Sequence, residues 1–223
     1  MLNLVNAAIG RGKRFVLDGA TFQLAPGEVC GLVAPNGFGK TTFMLALSGD
    51  RDLLRKGSIA LDGSVPTTST LRAKVFYAPG DASILQDDMS TRFHVNAVAR
   101  LWGSPLSVDE VIERCGITEY EKRPAHALSQ GMRQQTVLAM ALMSGAPYIL
   151  LDETLNALDP IKVNLAMNIL EDLRCQGTGI LISSHILENI DRVCSRAVFF
   201  RDRKLVSIDR AGDSDQLFKE FYG

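Results

Sequence analysis

The apolar residues in the first quarter of the chain come in short runs separated by turn residues, a pattern typical of β-strands. Pro26, Gly27 and Glu28 supply a turn before the apolar run at residues 29–33. The other strands predicted in this quarter are residues 2–8, 16–17 and 21–24, and further strand candidates follow at residues 57–61 and 74–78.

The spacing of apolar residues becomes helical between Ser90 and Ala127. The members of this pattern are Phe93, Ala97, Val98, Leu101, Val108, Val111, Ile112 and Cys115. From Ser129 onward predicted helices alternate with apolar strands, which are residues 148–151, 179–183 and 197–200. This alternation favours a mostly parallel sheet flanked by helices, in which active residues follow the carboxyl ends of the strands. Residues 209–223 are predicted to form a short amphipathic packing helix, with Leu217, Phe218 and Phe221 near one face.

A glycine-rich turn follows the apolar run at residues 29–33 and precedes a predicted helix at residues 41–47. The turn and the start of the helix comprise Ala34, Pro35, Asn36, Gly37, Phe38, Gly39, Lys40, Thr41 and Thr42. A strand, turn and helix in this order aim backbone N–H groups and a helix N-terminus at one point, where polyphosphate binds. Lys40 is then expected to reach the outer phosphates, and the Thr41 hydroxyl to bind Mg²⁺.

This segment departs from the P-loop pattern G-x-x-x-x-G-K-[ST] at one position, because Ala34 stands where the first glycine belongs. A strand, turn and helix that contain glycines can also be purely structural. The rest of the chain therefore has to decide between the two interpretations.

Two carboxylates, Asp152 and Glu153, follow the apolar run Tyr148 to Leu151. Four apolar residues in a row suit a strand covered on both faces, and the acids would then emerge at its carboxyl end beside the P-loop. Asp152 is expected to bind Mg²⁺ directly or through water, and Glu153 to polarise the water that attacks the γ-phosphate. The alternative is an Asp-Glu pair that simply ends a strand at the surface.

Ser129 begins a predicted helix that runs to Ser144, and serine is a favourable N-cap. Gly131 leaves the N–H groups of the first turn unobstructed. The functional interpretation is a second anion site, in which Ser129 and the helix dipole meet a γ-phosphate. The structural alternative is a capped helix with no ligand.

The composition is ordinary for a globular protein, with 46% hydrophobic and 22% charged residues in 223. A formal net charge of -1 gives no electrostatic reason to expect a nucleic-acid partner. No apolar run approaches the length of a membrane span, and the first residues do not resemble a signal peptide, so we expect a cytoplasmic protein. The four cysteines lie far apart, which favours reduced thiols over a metal site.

The order and spacing of these segments resemble the ATP-binding subunit of ATP-binding-cassette (ABC) transporters, over about residues 2–205. Residues 156–159 resemble the D-loop of that family, and His185 resembles its switch histidine. The Ser-x-Gly-Met form of residues 129–132 is similar to small bacterial exporter subunits. The fold class implied is α/β: a P-loop NTPase core with a mostly parallel sheet flanked by helices, an N-terminal antiparallel β subdomain, and a helical lobe inserted at about residues 82–145 of a single domain.

The resemblance implies an ATPase that uses ATP and Mg²⁺. Two cassettes, in a homodimer or a heterodimer, would close head to tail, so that Ser129 and Gly131 serve the partner's nucleotide and Asp159 helps to link the two sites. His185 would hydrogen-bond the γ-phosphate and act with Glu153 and Lys40 in catalysis. A transmembrane permease would dock mainly on residues 82–127 and hold the chain at the inner face of the cell membrane.

Several positions depart from the family pattern. Arg11 stands where an aromatic residue usually stacks on adenine; a guanidinium can also stack on a base, and Phe15 is a second candidate. Gly80 stands at a glutamine that contacts Mg²⁺ and water, and Asp81 offers an oxygen ligand one residue further on. The other differing positions are Ala34, Phe38, Gln135 and Thr154.

A working ATPase is expected, because the charged and polar residues of the core are present: Lys40, Thr41, Asp152, Glu153 and His185. The leading hypothesis is the ATP-binding subunit of an exporter whose permease is a separate chain, with an importer subunit as the rival within the family. Two further classes are alternatives: a soluble ABC ATPase without a permease, and a degenerate cassette that regulates a more active partner cassette.

Overall fold

The computed structural model describes residues 1–209 and 214–223, which form two sheets and eight α-helices. The strands are β1 (Leu2–Arg11), β2 (Arg14–Leu24), β3 (Val29–Val33), β4 (Leu54–Leu61), β5 (Val75–Ala78), β6 (Tyr148–Asp152), β7 (Gly179–Ser183), β8 (Arg196–Arg201) and β9 (Lys204–Asp209). The helices are α1 (Lys40–Leu47), α2 (Thr68–Arg72), α3 (Thr91–Trp102), α4 (Val108–Arg114), α5 (Gln130–Ser144), α6 (Pro160–Cys175), α7 (Leu187–Val193) and α8 (Ser214–Tyr222). The predicted α/β fold class is confirmed.

The N-terminal sheet is antiparallel and has the strand order β2-β1-β4. The prediction of two short strands at residues 16–17 and 21–24 is wrong, because β2 pairs with β1 along its whole length. The pairing register shifts by one extra residue of β2 between Leu17 and Ala20. Gly19 lies in this bulge with a φ of 64°, a backbone conformation that glycine adopts without strain.

The central sheet has the order β5-β6-β7-β3-β8-β9. Its first five strands are parallel, and β9 pairs antiparallel with β8 at the edge. β9 is missing from the sequence-based prediction because charged residues interrupt its apolar pattern. A parallel sheet collects the carboxyl ends of its strands at one edge, and loops that carry chemistry lie there.

Two hydrophobic cores lie on opposite faces of the central sheet. The alternation of side chains along β3 sends Val29 and Val33 into one core, and Cys30 and Leu32 into the other. The first core includes apolar residues of α3 to α6, and the second those of α1 and the N-terminal sheet. This double burial explains why β3, β6 and β7 read as continuous apolar runs.

The chain between β5 and β6 is mainly helical, which confirms the helical spacing predicted there. Ser90 caps α3 by accepting a hydrogen bond from the Phe93 N–H at 3.2 Å, and α3 packs on α5. The residues between α4 and α5 form two short 3₁₀ turns rather than longer helices. That residues 82–145 form a distinct lobe stays a prediction.

The C-terminal helix α8 packs Leu217, Phe218 and Phe221 against the first core, as its amphipathic pattern predicts. The predicted start of this helix is wrong, because Asp209 ends β9; residues 210–213 lie outside the described residues. Across the described ranges, no helix combines the length and apolar character that crossing a membrane requires.

Candidate active site

A cleft of about 790 Å³ opens where β3, β5 and β6 end, at the carboxyl edge of the central sheet. It is lined by residues of the β1–β2 hairpin, the P-loop and α1, the loop after β5, and the end of β6. The predicted site residues that line it are Arg11, Asn36, Gly37, Gly39, Lys40, Thr41, Thr42, Asp81, Asp152 and Glu153. We call the part formed by Gly39, Lys40, Thr41, Asp152 and Glu153 the phosphate pocket.

The P-loop wraps around the Lys40 side chain. Lys40 begins α1, one residue before the predicted start, and its Nζ donates a hydrogen bond to the Ala34 carbonyl at 2.8 Å. Gly39 has a φ of 106°, and a Cβ there would lie 2.6 Å from Val16. Any other residue at this position would therefore push the loop away from β2.

The Ala34 substitution leaves the P-loop turn intact. Its backbone does not adopt a positive φ, so an alanine fits without strain. The methyl group is only 5% exposed and packs in the second core. The same alanine contributes the carbonyl that holds Lys40.

Lys40 and Glu153 form an ion pair in the phosphate pocket. Their Nζ and Oε1 atoms are 3.3 Å apart, and the two side chains are 6% and 32% exposed. The other carboxylate oxygen of Glu153 lies 3.8 Å from Nδ1 of His185. The Asn156 amide contacts the same His185 nitrogen at 2.8 Å. His185 is therefore placed beside Glu153, although it does not itself line the cleft.

Asp152 is fixed by two hydroxyl groups from neighbouring strands. Tyr77 on β5 donates to Oδ2 at 3.0 Å, and Ser183 at the end of β7 donates to Oδ1 at 2.7 Å. Burial, and then the Asp152 carboxylate, raise the pKa of the Tyr77 hydroxyl above its ordinary value, so Tyr77 stays a donor. Sequence reasoning missed both residues; the signal lies in their positions at the ends of strands next to β6.

Glu153 adopts a φ of 54°, which is uncommon for a residue with a side chain. Its N–H is held by the carbonyl and the hydroxyl of Ser183, at 3.1 and 3.0 Å. The loop after β5 comes very close at this point: a Cβ on Gly80 would lie 2.5 Å from the Asp152 carbonyl oxygen. Because Gly80 has no side chain, the Pro79–Asp81 turn can contact the end of β6, which carries Asp152 and Glu153.

The oxygen ligands of the phosphate pocket fit Mg²⁺. Thr41 supplies a hydroxyl and Asp152 a carboxylate, and both line the cleft. Within residues 1–209 and 214–223, no group of three or more His, Cys, Asp or Glu side chains is arranged to hold a metal. Two protein oxygens are the number expected where Mg²⁺ keeps its other positions for phosphates and water.

The remaining substitutions have local explanations. Gln135 is buried, accepts a hydrogen bond from the Tyr120 hydroxyl and donates one to the Cys115 carbonyl. Thr154 is buried and donates to the Ala78 carbonyl, which ties the loop after β6 to the end of β5. Asp81 lines the cleft, and the hydrogen bonds it accepts from Ser83 lower the pKa of its carboxyl group.

Three predicted site residues lie away from the cleft of their own chain. The described lining of the cleft does not include Ser129, Gly131 or Asp159, and we call these three residues the Ser129 surface. Ser129 caps α5 by accepting from the Met132 N–H at 3.3 Å, and Asp159 caps α6 by accepting from the Lys162 N–H at 2.9 Å. That hydrogen bond lowers the pKa of Asp159.

Gly131 joins the two capped helices. A Cβ on this glycine would lie 2.9 Å from the Ala157 carbonyl oxygen, so the first turn of α5 touches the loop before α6. Ala34, Pro35 and Phe38, which are also predicted to bind nucleotide, lie outside the cleft lining. The Phe38 ring is 46% exposed and meets the edge of Tyr222 on α8 at a centroid distance of 5.5 Å.

Comparison with known proteins gives a consistent result. A family model described as ABC transporter matches residues 17–156, more than half of the chain. The lantibiotic transport ATP-binding protein SrtF of Streptococcus pyogenes is 29% identical over 227 residues, which cover 100% of this chain and 96% of that protein. The lipopolysaccharide export system ATP-binding protein LptB of Acidithiobacillus ferridurans is 32% identical over 208 residues, covering 87% of this chain and 84% of that protein.

The fold agrees with the sequence comparisons. A solved ATP-binding subunit of an ABC transporter superposes with a TM-score of 0.88 at 22% identity, over 100% of both chains. The chain therefore belongs to the ABC transporter family, among its ATP-binding subunits.

Proposed function

We propose that this ABC ATPase powers an exporter whose permease is a separate membrane chain, by closing with a second cassette around ATP. One relative supports export over import, since it is named for lipopolysaccharide export, and another is named for lantibiotic transport. In this proposal the permease docks on the helical residues 82–127 and keeps the chain at the cytoplasmic face of the membrane. Cell fractionation tests the location: the chain is expected in the membrane fraction only when the permease is co-expressed.

The observation that carries the proposal is the separation of the phosphate pocket from the Ser129 surface. Lys40, Asp152 and Glu153 lie together in one cleft, whereas Ser129 and Gly131 do not reach it. A helix N-terminus with an exposed serine hydroxyl suits a phosphate. Head-to-tail pairing of two chains would bring this helix end to the cleft of the partner, so that each ATP is held by both.

The chemistry follows from the residues of the phosphate pocket. Lys40 would leave the Ala34 carbonyl and Glu153 for the outer phosphates, because phosphate oxygens are its stronger acceptors. Glu153, released from Lys40, would orient and deprotonate the attacking water, and His185 beside it would donate to the γ-phosphate. Mg²⁺, held by Thr41 and Asp152, would neutralise charge on the phosphates.

A complementation experiment tests the shared site. Lys40→Ala removes the pocket, and Ser129→Arg blocks the helix end, so each variant alone is expected to lose hydrolysis. Mixed dimers of the two variants carry one intact composite site, so an equal mixture is expected to recover about a quarter of the wild-type rate. An inactive mixture, or normal hydrolysis by Ser129→Arg alone, contradicts a site shared between two copies.

A regulatory cassette is the second candidate, and Gly80 is the observation that favours it, because glycine cannot supply the side-chain contact of a glutamine. The discriminating measurement is steady-state ATP hydrolysis by the purified chain, with and without a partner cassette. ATP binding without turnover in either condition would favour the regulatory role, and turnover by the chain alone would exclude it.

A further inference from the structure

The C-terminal helix α8 reaches the P-loop through Tyr222 in its last turn. The Tyr222 hydroxyl lies 3.3 Å from the carbonyl oxygen of Val33, the last residue of β3. Its ring meets the Phe38 ring in an edge-to-face arrangement, with 5.5 Å between the centroids and 76° between the planes. Val33 directly precedes the P-loop, and Phe38 directly precedes Gly39, the residue before α1. Tyr222 therefore contacts the chain near both ends of the loop.

Tyr222 is itself held by β8 and by its own helix. Its hydroxyl donates to the Phe200 carbonyl on β8, and because a hydroxyl has a single hydrogen, the Val33 oxygen shares it. The centroid of its ring lies 4.9 Å from that of Phe218, one turn earlier on α8, and the side chain packs against both hydrophobic cores. Burial raises the pKa of the Tyr222 hydroxyl to about 12, so it stays a neutral donor at neutral pH.

The tip of the P-loop has few other supports. Asn36, Gly37 and Phe38 are exposed, and a Cβ on Gly37 would meet open space. In the part of the chain that the structure describes, Lys40 alone sends a side-chain hydrogen bond to residues 34–39, and phosphates would draw that side chain away. A loop that becomes ordered only when its ligand arrives binds that ligand more weakly than one already in shape.

We propose that Tyr222 is a positioning residue of the nucleotide site: acting through Phe38, it holds the P-loop in the shape that receives the phosphates. The inference rests on the proposed function, in which the P-loop binds the phosphates of ATP. It gives a role to Phe38, one of the positions at which the chain departs from the family pattern. Neither Tyr222 nor Phe38 is in the described lining of the cleft, so the pair should set the affinity for ATP and not the rate of the chemical step.

Calorimetric titration with Mg²⁺–ATP and steady-state hydrolysis by the purified chain test this role. Tyr222→Leu keeps apolar bulk but removes the hydroxyl and the ring, so the dissociation constant and KM for ATP should each rise about tenfold, with kcat within about twofold of wild type. Phe221→Leu is the matched control. It makes a similar change at the neighbouring position, whose ring packs on Phe199 and Arg201, and ATP affinity should stay unchanged.

The double variant Phe38→Ala/Tyr222→Leu tests whether Tyr222 acts through Phe38. Phe38→Ala alone should weaken ATP binding about threefold, because it removes the ring contact and leaves the hydroxyl. The double variant should bind no more weakly than Tyr222→Leu, about tenfold below wild type, because the ring contact can be lost only once. A loss of about thirtyfold, the product of two independent effects, would overturn the proposal.

Three other outcomes would overturn the positioning role and leave the proposed function standing. Wild-type affinity in Tyr222→Leu would show that its contacts with the loop do not support binding. An equal loss of affinity in Phe221→Leu would show that the docking of α8 as a whole matters and Tyr222 does not. A fall in kcat with KM unchanged in Tyr222→Leu would place its effect in the chemical step. Failure of the folded wild-type chain to bind ATP at all would remove the proposed function, and the positioning role with it.

Discussion

The phosphate pocket and the Ser129 surface are held together in different ways. In the phosphate pocket, buried charged groups are fixed by residues far apart in the sequence, as in the bonds from Tyr77 and Ser183 to Asp152. On the Ser129 surface, each polar side chain bonds to an N–H three residues ahead, from Ser129 to Met132 and from Asp159 to Lys162. The phosphate pocket therefore forms only when the whole fold is in place, whereas the contacts of the Ser129 surface require little more than the start of a helix.

This difference has a consequence for function. In the phosphate pocket, Lys40 already has two partners in its own chain, the Ala34 carbonyl and Glu153. Phosphate oxygens can replace both partners when a ligand binds. On the Ser129 surface, Asp159 is paired with Lys162 at 3.6 Å, whereas the exposed helix end at Ser129 would meet a phosphate only when another molecule supplies it. Substitutions in the two regions should therefore impair the protein in different ways.

The largest effect is expected for Glu153→Gln. In the proposed mechanism the carboxylate polarises the attacking water, so hydrolysis should fall about a thousandfold without it, while ATP binding stays within about threefold. Steady-state phosphate release and equilibrium ATP binding measure the two quantities. Glu188→Gln, an exposed carboxylate in the first turn of α7, is the matched control and should leave both unchanged. Undiminished hydrolysis in Glu153→Gln would show that Glu153 does not polarise the attacking water.

The second largest effect is expected for Gly80→Ala. The new methyl group would lie 2.5 Å from the Asp152 carbonyl oxygen, so the turn at residue 80 and the end of β6 must move apart, and we expect Glu153 to move with β6. Hydrolysis should fall about ten- to a hundredfold, and the free energy of unfolding by about 1–3 kcal/mol.

Gly103→Ala is the control for Gly80→Ala. It makes the same substitution at a C-cap where a Cβ meets open space, with a φ of 61°. It should cost about 1 kcal/mol of stability through backbone strain and leave hydrolysis per folded molecule unchanged. Equal losses of hydrolysis in both variants would show that the close approach at Gly80 does not position Glu153.

The same distinction explains what the sequence could predict. The P-loop, the Asp152-Glu153 pair and the Ser129 cap are local patterns, and the structure shows each as a strand end or helix start where it was expected. The bonds from Tyr77 and Ser183 to Asp152 span 75 and 31 residues and depend on the order of strands in the sheet. No local sequence pattern predicts these two hydrogen bonds or the positive φ of Glu153. The bulge that lets β2 continue past Gly19 was missed for a related reason, since it depends on pairing with β1.

A smaller effect is expected on the Ser129 surface. Ser129→Ala removes the N-cap of α5 and should lower the free energy of unfolding by about 1 kcal/mol. ATP binding to the isolated chain should stay unchanged, while hydrolysis falls about tenfold because, in the proposed shared site, the partner's phosphates lose a hydroxyl donor. Ser90→Ala removes the matching cap of α3, so its stability loss should be similar and its hydrolysis normal. Denaturant unfolding and hydrolysis assays on both variants distinguish a serine that only caps a helix from one that also contacts phosphate. Loss of ATP binding in Ser129→Ala would contradict the division into two regions.

The smallest effect is expected from acid, and it acts through His94. His94 on α3, which packs on α5, is 4% exposed; its Nε2 accepts the Gln86 N–H and its Nδ1 lies 2.8 Å from the Ser90 carbonyl. Burial, aided by the charge of Arg133, lowers the pKa of His94. The unfolded chain therefore takes up this proton first, near pH 6.5, and stability falls as the pH drops from there towards the folded pKa. His94→Gln should reduce the loss of unfolding free energy between pH 7 and pH 5 by less than about 1 kcal/mol. Denaturant titrations at the two pH values measure it, and an unchanged difference would show that His94 does not take up a proton on unfolding.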